Sequence, residues 1–177
     1  KTVRRSYQEK GKKAAIHMVS AFAARQRLVL GQVKVAEKSN EIVAIPRLLD
    51  MLAIEGAIVT IDAIGCQRAI AAKIIDKKAD YVLALKRNQS GLHDDVALFV
   101  AEQKANGFKD TATSRQQTVD ADHGRIETRT TTVIEDIAWL QTRHPWPGLE
   151  TVVIVDSTRE IGAKTERETR LYISSLT

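Results

Sequence analysis

Short apolar runs rich in Val and Ile recur along the chain, separated by polar segments and glycines. The most continuous run covers residues 57–64, ends at Gly65 and carries one acid, Asp62, near its carboxyl end. Runs of this length and composition are typical of strands buried on both faces of a sheet. We therefore expect a buried strand here, with a single carboxylate at its end.

Apolar residues at helical spacing predict four helices, which cover about residues 45–52, 66–78, 90–105 and 135–144. Pro46 has no amide hydrogen and fits best in the first turn of a helix, so we place the first helix start within a few residues of it. Asp94 and Asp95 fall in the first turn of the third predicted helix, where the positive helix end favours acids. These two acids are therefore interpreted as structural.

The second predicted helix lies between two apolar runs, the later of which covers residues 81–85. Strand, helix and strand in this order indicate a βαβ unit with parallel strands. Because parallel neighbours end at the same edge of a sheet, Lys86, Arg87 and Asn88 should emerge on the rim that carries Asp62. A carboxylate beside basic and amide groups would suit a phosphate and a metal ion. The alternative is that the two basic residues only solvate a strand end.

Alternating and β-branched segments elsewhere predict antiparallel strands. They lie at residues 14–24 and 28–35, 114–119 and 125–134, 149–156, and 170–176, with a tight turn at 122–125 and a charged hairpin at 158–168 whose tip is Gly162. The layout as a whole predicts an α/β core over residues 1–107, followed by a β-rich segment over residues 108–177.

The composition is that of an ordinary globular protein, with 44% hydrophobic and 28% charged residues in a chain of 177. The single cysteine, Cys66, excludes an internal disulfide framework and a paired-cysteine metal site. No apolar run is long enough to span a bilayer and the N-terminus is basic, so we expect a cytoplasmic protein. The net charge of +5, with basic residues concentrated in 1–13, permits a polyanionic partner without requiring one.

Asp62 has three interpretations when the residues are considered alone. It caps the helix that follows, it lies just outside the apolar layer in water, or it holds a divalent metal at the rim of the sheet. An unpaired carboxylate is costly to bury, and each interpretation gives the group a partner or solvent. The spacing by itself favours the first two interpretations.

Six segments of the chain have an order and spacing that are specific when they are taken together. They are KTVRRS at 1–6, KSNEI at 38–42, TIDAIGCQ at 60–67, DYVLALKRNQ at 80–89, HGRIETR at 123–129 and YISSL at 172–176. Across nearly the whole chain they resemble the insertion-sequence transposases of the DDE class, of the H repeat-associated type, which are bacterial proteins that act on DNA.

The resemblance implies an RNase H-like mixed sheet flanked by helices, in which three antiparallel strands lead into parallel ones, with a β-rich insertion. It also implies three acids that bind two Mg²⁺ (or Mn²⁺) ions for phosphodiester cleavage and strand transfer at transposon ends. Asp62 matches the second acid and is expected to be catalytic and a metal ligand. We expect these residues to contact the DNA: Lys86, Arg87, Asn88, His123, Arg125 and Arg129. Homodimer formation is left open.

The chain departs from the family at both of the other acids. The first acid of the family precedes the lysine that matches Lys1, and the last, a glutamate, follows the strand that ends near Thr177. Glu127 matches a motif of the insertion and is not assigned to catalysis. We therefore expect a fragment with one of three metal-binding acids, which binds metal weakly and cleaves nothing alone. Its sheet should lack most of the first strand, leaving an edge that another chain would pair with.

Two other interpretations of function remain open. One is a non-catalytic nucleic-acid-binding or assembly module, in which basic side chains contact phosphates. The other is a folded remnant with no activity. The salt dependence of DNA binding separates them, because each phosphate contact releases counterions and steepens that dependence.

Overall fold

The computed structural model describes residues 17–35, 41–122 and 124–177. It contains four α-helices and eight strands in these described ranges. In chain order they are β1 (His17–Ala23), β2 (Leu28–Val35), α1 (Glu41–Asp50), β3 (Ile58–Ile61), α2 (Arg68–Asp76), β4 (Asp80–Leu85), α3 (Ser90–Asn106), β5 (Thr113–Asp122), β6 (Arg125–Ile134), α4 (Ala138–Arg143), β7 (Thr151–Ile161) and β8 (Lys164–Ser174).

Six of the strands form one mixed sheet in the order β3-β4-β8-β7-β6-β5. Strands β3 and β4 are parallel and are connected through α2, which confirms the predicted βαβ unit. All the other neighbours in this sheet are antiparallel. The last strand, β8, lies between β4 and β7, so the β-rich segment continues the sheet that the βαβ unit begins. The α/β class and the mixed sheet with accompanying helices are therefore confirmed.

One face of this sheet is covered by the described helices. All four helices contribute to a single hydrophobic cluster, together with residues from β4, β6, β7 and β8. Along β4 these are Tyr81, Leu83 and Leu85, and the intervening Val82 and Ala84 stay only partly buried. Because side chains alternate between the faces of a sheet, the cluster marks a helix-covered face and leaves an open face opposite.

Strand β3 differs from its prediction. It is an edge strand paired only with β4 among the described residues, and Ile58 is 57% exposed. Thr60 is also exposed, so β3 buries one face and not two. An apolar run indicates a strand but not how many neighbours it has, which is why the prediction was wrong on this point.

The N-terminal hairpin forms a separate sheet. Strands β1 and β2 pair antiparallel, as predicted, but join no strand of the six-stranded sheet. A cavity of about 470 Å³ lies between the hairpin and the sheet, lined by residues 18–21 of β1, by 59–61 of β3 and by Asp62. Four apolar residues of α1 and its C-terminal extension also line it: Ile45, Leu48, Leu49 and Leu52. The resemblance predicted antiparallel strands that lead directly into the parallel ones, and this gap separates them in the described residues.

Helix α1 begins earlier than predicted. It starts at Glu41, so Pro46 is the sixth helical residue and lies inside the helix instead of in its first turn. The missing amide hydrogen of Pro46 therefore removes one hydrogen bond from the helix interior. Burial of Ala44, Ile45, Leu48 and Leu49 on one side explains why the helix persists through the proline.

Asp95 has a structural role that differs from the predicted one. Since α3 begins at Ser90, Asp94 and Asp95 lie beyond the first turn. The Oδ2 atom of Asp95 lies 2.6 Å from Nε2 of His144 and 2.8 Å from Nε of Arg143. These contacts connect α3 to the end of α4. The predicted placement of both acids in the first turn was therefore wrong, and Asp95 acts structurally by contacting a neighbouring helix.

The sheet extends beyond the end of β4 as an antiparallel arm, which we define as residues 116–122, 125–131, 155–161 and 164–170. The tight turns predicted between β5 and β6 and at Gly162 are present, and Gly162 adopts a φ of 57° that favours glycine. Strand β5 forms the outer edge and is exposed along its whole length. None of the described helices combines the length and apolarity needed to cross a bilayer.

Candidate active-site cleft

Asp62 lies directly after β3, at the carboxyl end of the parallel pair. It caps a single 3₁₀ turn (Ala63–Gly65), and its Oδ1 accepts a hydrogen bond of 3.2 Å from the amide of Ile64. The residue is exposed, so the carboxylate is both a cap and open to solvent. The two structural interpretations from the sequence are thus confirmed, and neither removes the carboxylate from the rim.

The two strand ends at this rim are connected by side-chain hydrogen bonds. Nδ2 of Asn88 donates to the carbonyl of Ala63 at 2.6 Å, next to Asp62. Nε2 of Gln89 donates to the carbonyl of Cys66 at 3.0 Å. The segment after β4 therefore emerges beside Asp62, as the parallel arrangement predicted. Asn88 acts here by holding the turn that carries the acid.

A cleft of about 850 Å³ opens at this end of the sheet. Its lining contains charged groups from four parts of the chain, with small or apolar residues of β3 and β4 between them. The charged and titratable members are Asp62, Lys86, His93, Lys104, Glu168 and Arg170. The cleft thus places one acid of the rim in the same space as basic residues of three other elements.

Three charged groups of the cleft are engaged in close pairs. Nζ of Lys104 lies 2.7 Å from Oδ1 of Asp156, which also accepts from the hydroxyl of Thr169. Nη2 of Arg170 donates to Oε2 of Glu168 at 2.8 Å. The hydrogen bond from Arg170, aided by the charges of Lys86 and Arg159, lowers the pKa of Glu168 below its ordinary value. Glu168 is therefore ionised at neutral pH.

The predicted DNA contacts Arg125 and Arg129 lie on the arm and not in the cleft. Both pair with Glu127, whose side chain is only 9% exposed. The distances are 2.7 Å from Nη2 of Arg129 and 3.9 Å from Nη2 of Arg125. Nη1 of Arg129 also lies 3.9 Å from Oδ2 of Asp120. Glu127 therefore pairs with two arginines on the arm. Its strand, β6, lies four strand positions away from β3, which precedes Asp62.

The structure brings together part of the predicted site. Asp62, Lys86 and Asn88 meet at the rim, and Arg87 is exposed in the turn that follows Lys86. His123 lies outside the described residues. Sequence reasoning missed Lys104 and Arg170, because their placement depends on how α3 and β8 pack and pair across long sequence separations. The charged, alternating character of β8 was the available signal.

The described residues do not make a complete metal site. In the part of the chain that the structure describes, no group of three or more His, Cys, Asp or Glu side chains is placed to hold a metal ion. Asp62 offers one carboxylate to such an ion. A divalent ion bound by several oxygens needs further ligands than the described chain supplies.

Comparisons with known proteins show which family this chain is similar to. Residues 1–144 match the family model described as Transposase DDE domain. An uncharacterised protein from the dhlA 3′ region of Xanthobacter autotrophicus is 45% identical over 177 residues, which cover 100% of this chain and 58% of that protein. No solved structure matches this chain.

Two relatives in Escherichia coli carry transposase names. The Putative transposase YncI of strain O157:H7 is 42% identical over 180 residues, covering 99% of this chain and 45% of that protein. The H repeat-associated putative transposase YhhI of strain K12 is 39% identical over 181 residues, covering 99% and 47%. The chain thus spans about half the length of the curated relatives it matches.

Proposed function

Because the chain belongs to the DDE transposase family, in its H repeat-associated group, we propose that it forms part of the catalytic domain of a DNA transposase. The observation that carries the proposal is the position of Asp62 at the carboxyl end of a parallel strand, exposed in a cleft that it shares with Lys86. Ligand sites of open α/β sheets lie at this edge. The mixed sheet with its helices supports an RNase H-like core, with the division into 1–107 and 108–177 as its expected organisation.

The reaction we assign to the whole protein is divalent-metal-dependent phosphodiester cleavage and strand transfer at transposon ends, in the bacterial cytoplasm. Mg²⁺ or Mn²⁺ is the expected ion. Asp62 would be one of its carboxylate ligands, and the other acids would come from outside this chain. The chain alone is therefore expected to bind metal weakly and to cleave no DNA.

Within the chain, two features prepare the cleft for this role. The amide of Ile64 and the contact from Asn88 to Ala63 fix the turn in which the Asp62 carboxylate lies. Lys86 provides a positive charge in the same cleft, where a scissile phosphate would need it. We expect Arg87, Arg125, Arg129 and His123 to contact the DNA backbone on either side of that point.

A chimeric protein, which we call the graft, tests the proposal. In the graft this chain replaces the matching half of YhhI, and nicking of a transposon-end duplex is measured with Mg²⁺. We expect the graft to nick the duplex and Asp62→Asn to lower the rate by more than the roughly 10–100-fold typical of losing an outer-shell group. Asp76→Asn, which alters an exposed acid at the end of α2, is the matched control and should leave the rate unchanged.

Two results would contradict the proposal. A graft that nicks DNA at the same rate with Asp62→Asn would remove this residue from the catalytic site. A graft that folds, binds the duplex and fails to nick it in any form would argue against the assignment of this chain to a catalytic domain.

The second candidate function is a non-catalytic nucleic-acid-binding or assembly module. It is favoured by the net positive charge and by the arginines held on the arm. The isolated chain would then bind duplex DNA with an affinity that falls steeply with salt. An affinity independent of salt would argue against phosphate contacts. Pairing with a second copy stays a prediction.

A further inference from the structure

A row of charged side chains on the open face of the sheet leads from the cleft onto the arm. Leu85 pairs with Leu171, so the residue that follows β4, Lys86, comes level with Arg170 on β8. Further along the same face, the register aligns Arg129 with Ser157 and Ser157 with Glu168. Along the sheet, these residues alternate with the core residues Leu85, Ile134, Ile154 and Ile173.

One step farther out, the same face carries a second charged set. The register aligns Glu127 of β6 with Arg159 of β7, and Arg159 with Glu166 of β8. A cavity of about 610 Å³ lies over this part of the arm and is lined by four arginines, three glutamates and a serine, with Arg129, Arg159 and Arg170 among the arginines. The open face therefore has a second concave region beyond the cleft.

Glu168 and Arg170 connect the two concave regions. Both residues line the 850 Å³ cleft that contains Asp62, and both line the 610 Å³ cavity on the arm. Their side chains are 58% and 56% exposed, so they form the surface between the regions and do not belong to the core. A ligand that runs from one region to the other would pass over this pair.

The carboxylate of Glu168 pairs with one cation and lies in the field of two others. Arg170 donates to it at 2.8 Å, and the charges of Lys86 and Arg159 also favour its ionised form. Lys86 follows the strand on one side, and Arg159 belongs to the strand on the other. A carboxylate paired with an arginine in this setting occupies a place that also suits an oxygen of a phosphate group.

We propose that the cleft and the open face of the arm form one continuous track for a nucleic-acid backbone, in which Glu168 occupies a phosphate position until DNA displaces it. The proposal rests on the assigned function, since it takes DNA as the partner, and it adds the path and the residue that restricts access. Arg159 and Arg170 become backbone contacts, in addition to Lys86 and Arg129.

The dimensions of the track suit a strand of DNA. Three strand spacings separate Lys86, directly after β4, from Arg129 on β6, a distance of ~14 Å across the sheet. One DNA strand advances by ~3.4 Å per nucleotide, so this part of the track would follow about four phosphates. Entry of the backbone requires Arg170 to exchange a carboxylate for a phosphate, and Glu168 therefore weakens binding.

The test measures binding of the full chain to a fluorescent random-sequence duplex by anisotropy, over a range of salt concentrations. Glu168→Gln should tighten binding about three- to tenfold and steepen the salt dependence, because Arg170 becomes available for one more phosphate. Arg170→Gln should weaken binding and reduce the log–log salt slope by about 1. In the double variant, the gain from Glu168→Gln should be largely lost.

Two control variants carry the same charge changes on the opposite face of the sheet, one on the arm and one next to it. Glu160 on β7 and Arg115 on β5 are both exposed. Because side chains alternate along a strand, both lie on the face opposite the proposed track. Glu160→Gln and Arg115→Gln should change affinity less than twofold if the path lies on the open face. Equal gains from Glu160→Gln and Glu168→Gln would mean that only net charge matters, and would overturn the track.

The measurement also separates this inference from the function on which it rests. If the unaltered chain binds DNA with a steep salt dependence and the open-face variants behave like their controls, the track is wrong and the DNA-binding function stands. If no variant binds duplex DNA, both fail. Thermal melts by circular dichroism verify folding, which these exposed substitutions should leave intact.

Discussion

The side chain of Asp62 caps a turn and also remains exposed, so that it is available to a ligand in the cleft. Its Oδ1 satisfies the amide of Ile64, which sets the direction of the carboxylate, and the residue still faces solvent in the cleft. A carboxylate held in this way loses less conformational entropy when it binds a ligand than one on a free side chain. Capping and ligand binding are therefore compatible at this residue.

Gly65 ends the turn that Asp62 caps, and it has no space for a side chain. A Cβ at this position would contact Cγ2 of Ile61 too closely and lie 3.0 Å from Cδ1 of Ile45. We expect Gly65→Ala to lower the free energy of unfolding by about 1–3 kcal/mol, the usual cost of overpacking. Urea unfolding measures the change. The control Gly91→Ala meets only an ordinary contact of 3.7 Å and should be neutral or slightly stabilising.

Cys66 predicts how stability changes at alkaline pH. Burial raises the pKa of its thiol from 9.0 to about 12 in the folded protein. Because the folded pKa is the higher one, this stabilisation is complete below pH 9 and is lost as the pH rises toward 12, by at most ~1.4 kcal/mol per pH unit. Denaturant midpoints at pH 8 and pH 11 should therefore differ less in Cys66→Ala than in the unaltered chain.

Tyr81 provides an internal reference in the same pH experiment. Burial also raises the pKa of Tyr81, whose hydroxyl donates to the carbonyl of Pro147 at 2.8 Å. This contribution has the same sign and remains in the Cys66→Ala variant. Identical pH dependence in the two proteins would show that the thiol ionises equally in the folded and unfolded states.

At the scale of elements, one residue, Pro46, destabilises helix α1. Pro46 lies inside the helix, where a proline costs about 3 kcal/mol relative to alanine, offset in part by its rigidity in the unfolded chain. We expect Pro46→Ala to raise the free energy of unfolding by about 2 kcal/mol in urea titrations. Arg47→Ala, at the exposed neighbouring position, should change it by less than about 0.5 kcal/mol. A loss of stability in Pro46→Ala would mean that the proline shapes α1 for its packing.

The elements themselves could be predicted from local patterns, but their neighbours could not. The βαβ unit and the hairpin tip at Gly162 follow from periodicity and turn residues. The pairing of Val82 with Ser174 joins positions that are distant in sequence, and no local pattern specifies it. For the same reason, the exposure of Ile58 at the sheet edge could not be predicted from its apolar run.

The candidate site was predictable to a similar extent. The shared rim of Asp62 and Lys86 follows from the parallel arrangement of β3 and β4 alone. The contributions of Lys104 and Arg170 depend on tertiary placement of α3 and β8. The proposal that Asp62 is a metal ligand depends on the resemblance of its segment to the family, because one carboxylate does not specify a metal.

At the scale of the molecule, the sheet has a protected centre and an exposed margin. Strands β4, β8, β7 and β6 are inner strands with buried residues, and β5 is an edge strand that is exposed at every position. We expect hydrogen exchange to be slowest in the four inner strands and fastest in β5, since amides in exposed edges open locally. Comparable protection in β5 would indicate that another molecule covers this edge in solution.

The central claim is that Asp62 is one ligand of a metal site completed by other parts of a longer transposase. Its most direct test loads the YhhI graft with Fe²⁺ in place of Mg²⁺ and maps the backbone cuts made by locally generated hydroxyl radicals. We predict cuts close to residues 60–64 that vanish in Asp62→Asn and persist in Asp76→Asn. Cuts that are unchanged by Asp62→Asn would contradict the account.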